Sequence, residues 1–141
     1  MSRAEIEAAI AHREPMLLLD EILERSAERI VCQKTFRPEE FFFQGHYPDY
    51  PLVPGVILIE AAMQAGAVLV SDVPLEGGVP VATRINDVKF KKMIRPGDSV
   101  LLEVVLNERL ADAFFMAAKV RCDGKTVVTF NFAVTVAKQS A

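Results

Sequence analysis

The sequence predicts an α+β fold in which an antiparallel sheet covers one very apolar helix. Three observations predict it. Residues 56–70 are apolar nearly all round, interrupted by Glu60 and Gln64; such a helix is buried on most sides rather than amphipathic. The last third of the chain is a succession of segments rich in Val, Leu and Phe. Short turn signals, Pro96-Gly97-Asp98 and Asp123-Gly124, separate those segments, and strands joined by short turns pair antiparallel. A chain of 141 residues is a normal size for one domain, so one domain with one core is expected over residues 1–141. No repeat, linker or low-complexity run divides it.

In chain order, Ser2 and Glu5 form a capping box, which predicts a short helix over 3–11 with Ile6, Ala9 and Ile10 on its apolar stripe. Pro15 stops it. Residues 16–22 are apolar, and 24–28 are polar and read as a turn. Residues 29–36 read as a strand, although Ile30 and Cys32 alternate imperfectly with Val31, Gln33 and Lys34. The segment 39–55 is different: it holds Phe41, Phe42, Phe43, Tyr47 and Tyr50 with prolines at 48, 51 and 54. Those prolines forbid a helix and remove three backbone donors, leaving a stiff aromatic loop. Pro54-Gly55 marks the start of the helix over 56–70. A turn-rich connection containing Gly77-Gly78 follows. Strands are expected over 79–90, 99–107, 113–122 and 126–136, with Asp123-Gly124 supplying the positive-φ positions of a type I′ hairpin.

Composition excludes several classes. The net charge of −3 argues against a generally basic nucleic-acid binder. A hydrophobic fraction of 51% points to apolar surface covered in an oligomer or by an apolar ligand. Cys32 and Cys122 lie far apart and show no metal spacing or disulfide framework, so both are expected to be buried small side chains. The N-terminus lacks the continuous apolar core of a signal peptide, and the longest apolar stretch is too short to span a bilayer comfortably. A cytoplasmic protein with no membrane partner is the expectation. No phosphate-binding glycine loop or metal cluster is present, so no cofactor and no metal are expected.

Two residues stand out chemically. His46 sits in the stiff loop, in Gln44-Gly45-His46-Tyr47-Pro48; its plain reading is a packed, hydrogen-bonded imidazole. Glu60 sits in the apolar helix, where an unpaired ionised carboxylate costs several kcal/mol or more. It therefore faces a polar cavity or has a partner, and Gln64 at i+4 is placed to orient it. Desolvation favours a protonated carboxyl, so Glu60 suits a proton donor. A neutral imidazole is a competent base. The N–H groups at the start of the helix, at Gly55-Val56, suit a developing oxyanion. Base, acid and oxyanion donors together are what removal of water from a 3-hydroxyacyl thioester requires.

Gly45-His46-Tyr47-Pro48, Pro51, Pro54-Gly55-Val56 and Glu60-Ala61 resemble the active-site motif of the FabZ-type 3-hydroxyacyl-[acyl-carrier-protein] dehydratases. Residues 11–20, AHREPMLLLD, resemble that family's N-terminal segment, and Phe90-Lys91 with Pro96-Gly97-Asp98 its later landmark. The resemblance implies the hot-dog fold, a sheet wrapped around the long helix. It implies dehydration of 3-hydroxyacyl-[acyl-carrier-protein] to the trans-2-enoyl product, with His46 as base and Glu60 as acid. It further implies a homodimer as the active unit, commonly a trimer of dimers, with His46 and Glu60 of one site coming from different subunits. By the same resemblance the carbonyl of Leu52 orients His46, the N–H of Gly55 is the oxyanion donor, and Gln64 hydrogen-bonds the acid. Glu60, where the related dehydratase/isomerase FabA carries Asp, favours the FabZ-type subclass. Arg84, Lys89, Lys91, Lys92 and Arg95 form a basic cluster whose plain reading is a solvated face; the functional reading is docking of the acidic acyl carrier protein.

Two departures from the family pattern are visible. Asp49 replaces a usual Gly, and residues 81–85, Val-Ala-Thr-Arg-Ile, replace a stretch that often carries aromatics and Gly and helps form the acyl tunnel. His12 belongs to the N-terminal segment and reads as a structural or surface residue. The competing readings are a hot-dog thioesterase, which has less need of His46, a non-catalytic acyl-binding domain, and a dehydratase with added isomerase activity.

Overall fold

The computed structural model describes residues 3–74 and 78–138. Its elements run α1 (Arg3–Ala9), β1 (Glu21–Arg25), β2 (Arg29–Thr35), a 3-10 turn at Phe41–Phe43, α2 (Gly55–Leu69), β3 (Gly78–Phe90), β4 (Ser99–Leu110), β5 (Ala113–Cys122) and β6 (Lys125–Lys138). The expected capping residue Ser2 and the turn residue Gly77 lie outside the described residues. All six strands form one antiparallel sheet in the order β1-β2-β4-β5-β6-β3. The sheet packs around α2, which contacts β2, β3, β4, β5 and β6. This is the hot-dog arrangement.

Period-2 alternation explains the sheet's inner face. On β4, Val100, Leu102 and Val104 are buried; on β5, Phe114, Met116, Ala118 and Val120; on β6, Val128, Phe130, Phe132 and Val134. The pairing aligns these sets in rows: Cys32, Leu102, Val120 and Val128 form one, and Ile30, Val104, Ala118 and Phe130 another. A slip of one residue would turn each row outward. α2 presents small residues to this surface, Ala61, Ala62, Ala65 and Gly66, all buried. Gly66 is required there, because a Cβ would stand 2.7 Å from the Phe132 ring and 3.1 Å from the Met116 sulfur. Close approach of helix and sheet replaces the bulky ridges of an ordinary interface.

Several boundaries differ from the sequence reading. α1 ends at Ala9 rather than 11, where the Arg13 guanidinium takes over by donating to the carbonyls of Glu7 and Ile10. Glu24 and Arg25 belong to β1 rather than to a turn. They are polar because they serve the surface: Arg25 donates to Val68 O and Asp72 near the end of α2, and Glu24 pairs with Arg29. Asp123 and Gly124 have φ of 51° and 76°, as the type I′ hairpin needs. Both cysteines are buried and unpaired, and burial pushes the Cys32 thiol up to about 12. Among the described residues no helix is long and apolar enough to cross a membrane.

β3 is the exception to the buried pattern. It is exposed along nearly its whole length although it carries Val79, Val81, Ile85 and Phe90. It pairs with β6 on one side and forms the sheet's outer edge on the other.

Candidate active site

The stiff loop before α2 is built by its own backbone. Gly45 and Tyr47 take positive φ of 143° and 52°, a turn closes from Tyr50 N to Tyr47 O, and Val53 N donates to Ile94 O. The last bond anchors the loop to the segment that follows β3. Within this frame His46 Nδ1 lies 3.0 Å from Leu52 O. A carbonyl only accepts, so Nδ1 carries the hydrogen and Nε2 is left with a free lone pair. The Tyr47 ring packs edge-on against the imidazole at 4.7 Å between centroids. The Leu52 carbonyl thus lies where the resemblance put the group that orients His46.

α2 begins at Gly55, one residue earlier than expected, with Pro54 as its N-cap. The N–H groups of Gly55 and Val56 are the first of the helix and have no intrahelical acceptor, so they remain donors for a ligand oxygen. Gly55 also sits beneath Phe90: a Cβ there would stand 2.7 and 2.8 Å from two ring carbons. Phe90, which the sequence offered only as part of a family landmark, therefore has a physical reason to accompany Gly55.

Glu60 lies on the second turn of α2 with its side chain 28% exposed. Gln64 is buried, and its Nε2 donates to Glu60 Oε2 at 2.9 Å and to Met16 O at 2.7 Å, while its Oε1 accepts from Leu18 N at 2.8 Å. The i+4 partnership read from the sequence is present. The structure adds a neighbour: His12 Nε2 is 3.6 Å from Glu60 Oε2. Sequence spacing gave no sign of that contact, since the two residues meet only through the packing of the N-terminal segment on α2. Among the described residues no hydrogen bond or ion pair joins His46 to Glu60 within the chain; each has its own partners.

The basic cluster is not one patch. Arg95 stacks on the Tyr50 ring at 4.9 Å and donates to the Tyr50 hydroxyl, so it belongs to the site loop. Lys89 lines a cleft on the sheet with Asp87, Glu103 and Lys119, where acidic neighbours offset its charge. Arg84, Lys91 and Lys92 make no ion pair among the described residues; Arg84 and Lys91 are exposed and Lys92 is half-buried. Asp49 is exposed on the loop rim, and residues 81–85 lie exposed on β3 with a register shift between Ala82 and Arg84.

One buried charge was not singled out by sequence. Lys34 is fully buried and pairs with Glu40 at 2.5 Å. Glu40 also accepts from the N–H of Arg37, so the pair pins the start of the aromatic loop to β2. The signal was present: Ile30, Cys32 and Lys34 share one face of a strand, which placed the lysine inward.

The site thus presents a histidine held in a stiff loop and a carboxylate on the central helix of a hot-dog sheet. The FabA-like domain family matches residues 10–131, and the chain belongs to that family, as the motif resemblance implied. It is similar to the 3-hydroxyacyl-[acyl-carrier-protein] dehydratase FabZ of Clostridium perfringens (strain SM101 / Type A), with 40% identity over 126 residues that cover 89% of this chain and 91% of that one. The protein of the same name from Streptococcus pyogenes serotype M5 (strain Manfredo) is 38% identical over 136 residues, covering 94% and 98%. Among solved structures, the dehydratase heterocomplex ApeI:P from Xenorhabdus doucetiae superposes with a TM-score of 0.79 at 17% identity, covering 95% of this chain and 91% of that one; this likeness concerns the fold.

Proposed function

We propose that this chain removes water from 3-hydroxyacyl groups carried on an acyl carrier protein, giving the trans-2-enoyl thioester, in type II fatty acid biosynthesis or a related acyl pathway. The observation that carries the reading is the hydrogen bond from His46 Nδ1 to Leu52 O, which leaves Nε2 as a base. The names of the relatives supply the substrate class. In this scheme Nε2 takes the proton α to the thioester carbonyl. The electron pair moves toward the carbonyl oxygen, where the N–H of Gly55 stabilises the charge. The C–O bond at the 3-position then breaks as Glu60 delivers a proton, and water leaves. His46 ends protonated and Glu60 ionised; proton exchange with solvent restores both.

We read the working unit as a homodimer in which His46 and Glu60 of each site come from different subunits, with a trimer of dimers as the larger assembly. Two features support it. Among the described residues no hydrogen bond or ion pair joins His46 to Glu60 within one chain, and β3 leaves Val79, Val81, Ile85 and Phe90 exposed on a strand at a free edge. Natural sheets rarely leave such an edge uncovered. Arg84, Lys91, Lys92 and Arg95 are the side chains we assign to carrier-protein docking, with Lys89 a weaker member because of its acidic neighbours. A cytoplasmic setting fits this substrate.

Mixing inactive variants tests the shared site. His46→Ala and Glu60→Gln chains, unfolded and refolded together in equal amounts, should regain about a quarter of wild-type activity, because half the dimers are mixed and each mixed dimer has one intact site. No recovery would place both residues of a site in one chain. The same assay distinguishes a thioesterase, which would release free thiol from the carrier where a dehydratase leaves the thioester intact.

A further inference from the structure

His12 stands beside Glu60, and the acid–base scheme makes no use of it. Its Nε2 is 3.6 Å from Glu60 Oε2, longer than a hydrogen bond in this geometry but within reach of one after a small side-chain shift. Among the described residues its Nδ1 is buried without a hydrogen-bond partner. Of the two neutral tautomers, the one with hydrogen on Nε2 avoids burying an unpaired N–H and aims that hydrogen at the carboxyl.

The surrounding chain shows how His12 is delivered. The Arg13 guanidinium donates to the carbonyls of Glu7, Ile10 and His12, which ties the segment to the end of α1. Further on, Leu18 N and Met16 O are both bonded to the Gln64 amide, which ties it to α2. These bonds also fix Gln64. Its oxygen faces an N–H and its nitrogen faces a carbonyl, so it cannot flip, and it presents only N–H to Glu60 Oε2. Two N–H groups thus converge on Oε2. Oε1 has no hydrogen-bond partner among the described residues, and a transferable proton belongs on it.

We propose that residues 10–18 form a clamp on the acid, in which His12 is a positioning residue that works with Gln64 to hold Glu60 Oε2 and leave Oε1 facing the substrate hydroxyl. The clamp rests on the reading of Glu60 as proton donor. It assigns a role to a histidine that otherwise reads as surface or structural.

The test is steady-state hydration of a trans-2-enoyl thioester of N-acetylcysteamine by His12→Leu, His12→Gln, Glu60→Gln and the His12→Leu/Glu60→Gln pair, the slow variants at high enzyme concentration. His12→Leu should lower kcat by about tenfold to a hundredfold with KM within about twofold, as expected for loss of one N–H contact to a reacting carboxyl. His12→Gln keeps an N–H donor at the same reach and should recover most of the rate. In the Glu60→Gln background His12→Leu should cost nothing further. Equal losses in both backgrounds, or a His12→Gln variant as slow as His12→Leu with a lowered unfolding midpoint, would overturn the clamp. A fast His12→Leu beside a slow Glu60→Gln would overturn the clamp alone. A fast Glu60→Gln would overturn the reading of the acid, and the clamp with it.

Discussion

Replacing Gln64 by Leu removes a side chain whose hydrogen bonds join the N-terminal segment, α2 and Glu60. Gln64 is 1% exposed and makes three hydrogen bonds. Leucine fits the volume but satisfies none of them. The N–H of Leu18, a residue with no exposure, would be left without an acceptor, at about 1–3 kcal/mol for a buried orphan group. The carbonyl of Met16 is nearer solvent, since Met16 is 43% exposed, and its loss falls at the low end of the same range. Together these amount to roughly 2–4 kcal/mol of destabilisation. A specific unfolding entropy of about 2.1 cal/mol/K per residue over this chain gives roughly 3.4 °C of Tm per kcal/mol, hence a fall of about 7–13 °C. The assay is thermal unfolding at fixed chain concentration, because any oligomer makes Tm concentration-dependent. The rate of enoyl thioester hydration, measured well below both midpoints, should fall as well, since Glu60 loses its donor. A Tm within about 2 °C of wild type, with an unchanged rate, would refute the accounting of these bonds.

Other perturbations follow from the same contacts. Gly55→Ala forces a Cβ against Phe90, whose ring is half exposed and can swing outward; hydration should slow by about tenfold or more as the Gly55 N–H shifts, and Phe90→Ala in the same chain should restore much of the rate. Lys34→Ala leaves the mostly buried Glu40 carboxylate with Arg37 as its remaining partner and should cost about 3 kcal/mol in chemical denaturation, whereas Lys34→Met with Glu40→Leu removes both charges and should recover most of it. Cys32, held as the thiol by burial, should resist a colorimetric thiol reagent at pH 8 in the native protein and react on unfolding, because burial both raises its pKa and shields its sulfur from the reagent.

Much of the fold was legible because its signals are local. The apolar run of α2 admits no amphipathic reading, and Asp123-Gly124 demands positive φ whatever surrounds it. The strands of the last third announced themselves by Val, Leu and Phe content, and their pairing followed from short turns. Less was legible where tertiary contact overrides composition. Glu24 and Arg25 look like a turn until Arg25 is seen reaching the end of α2. β3 reads as an ordinary strand by its valines and isoleucine; Pro80 and the polar residues Thr83, Arg84, Asn86, Asp87 and Lys89 are the local marks of an edge strand, but they do not say what covers it. At the site, Glu60 and Gln64 could be paired from helical spacing alone, and His46 stood out from its proline-rich loop. The family motif supplied Leu52 and Gly55 as their supports. His12 was passed over, because the contact with Glu60 is made across 48 positions by a segment whose path depends on the Gln64 amide. A buried amide that fixes a distant loop leaves no periodic trace.

The claim that His46 and Glu60 perform the acid–base chemistry is tested most directly by enoyl thioester hydration, the reverse and easily followed direction, on wild type, His46→Ala and Glu60→Gln. Each substitution should lower the rate by about a hundredfold or more while the protein remains folded, in line with loss of a general acid or base. A rate within about tenfold of wild type for both folded variants would contradict the assignment.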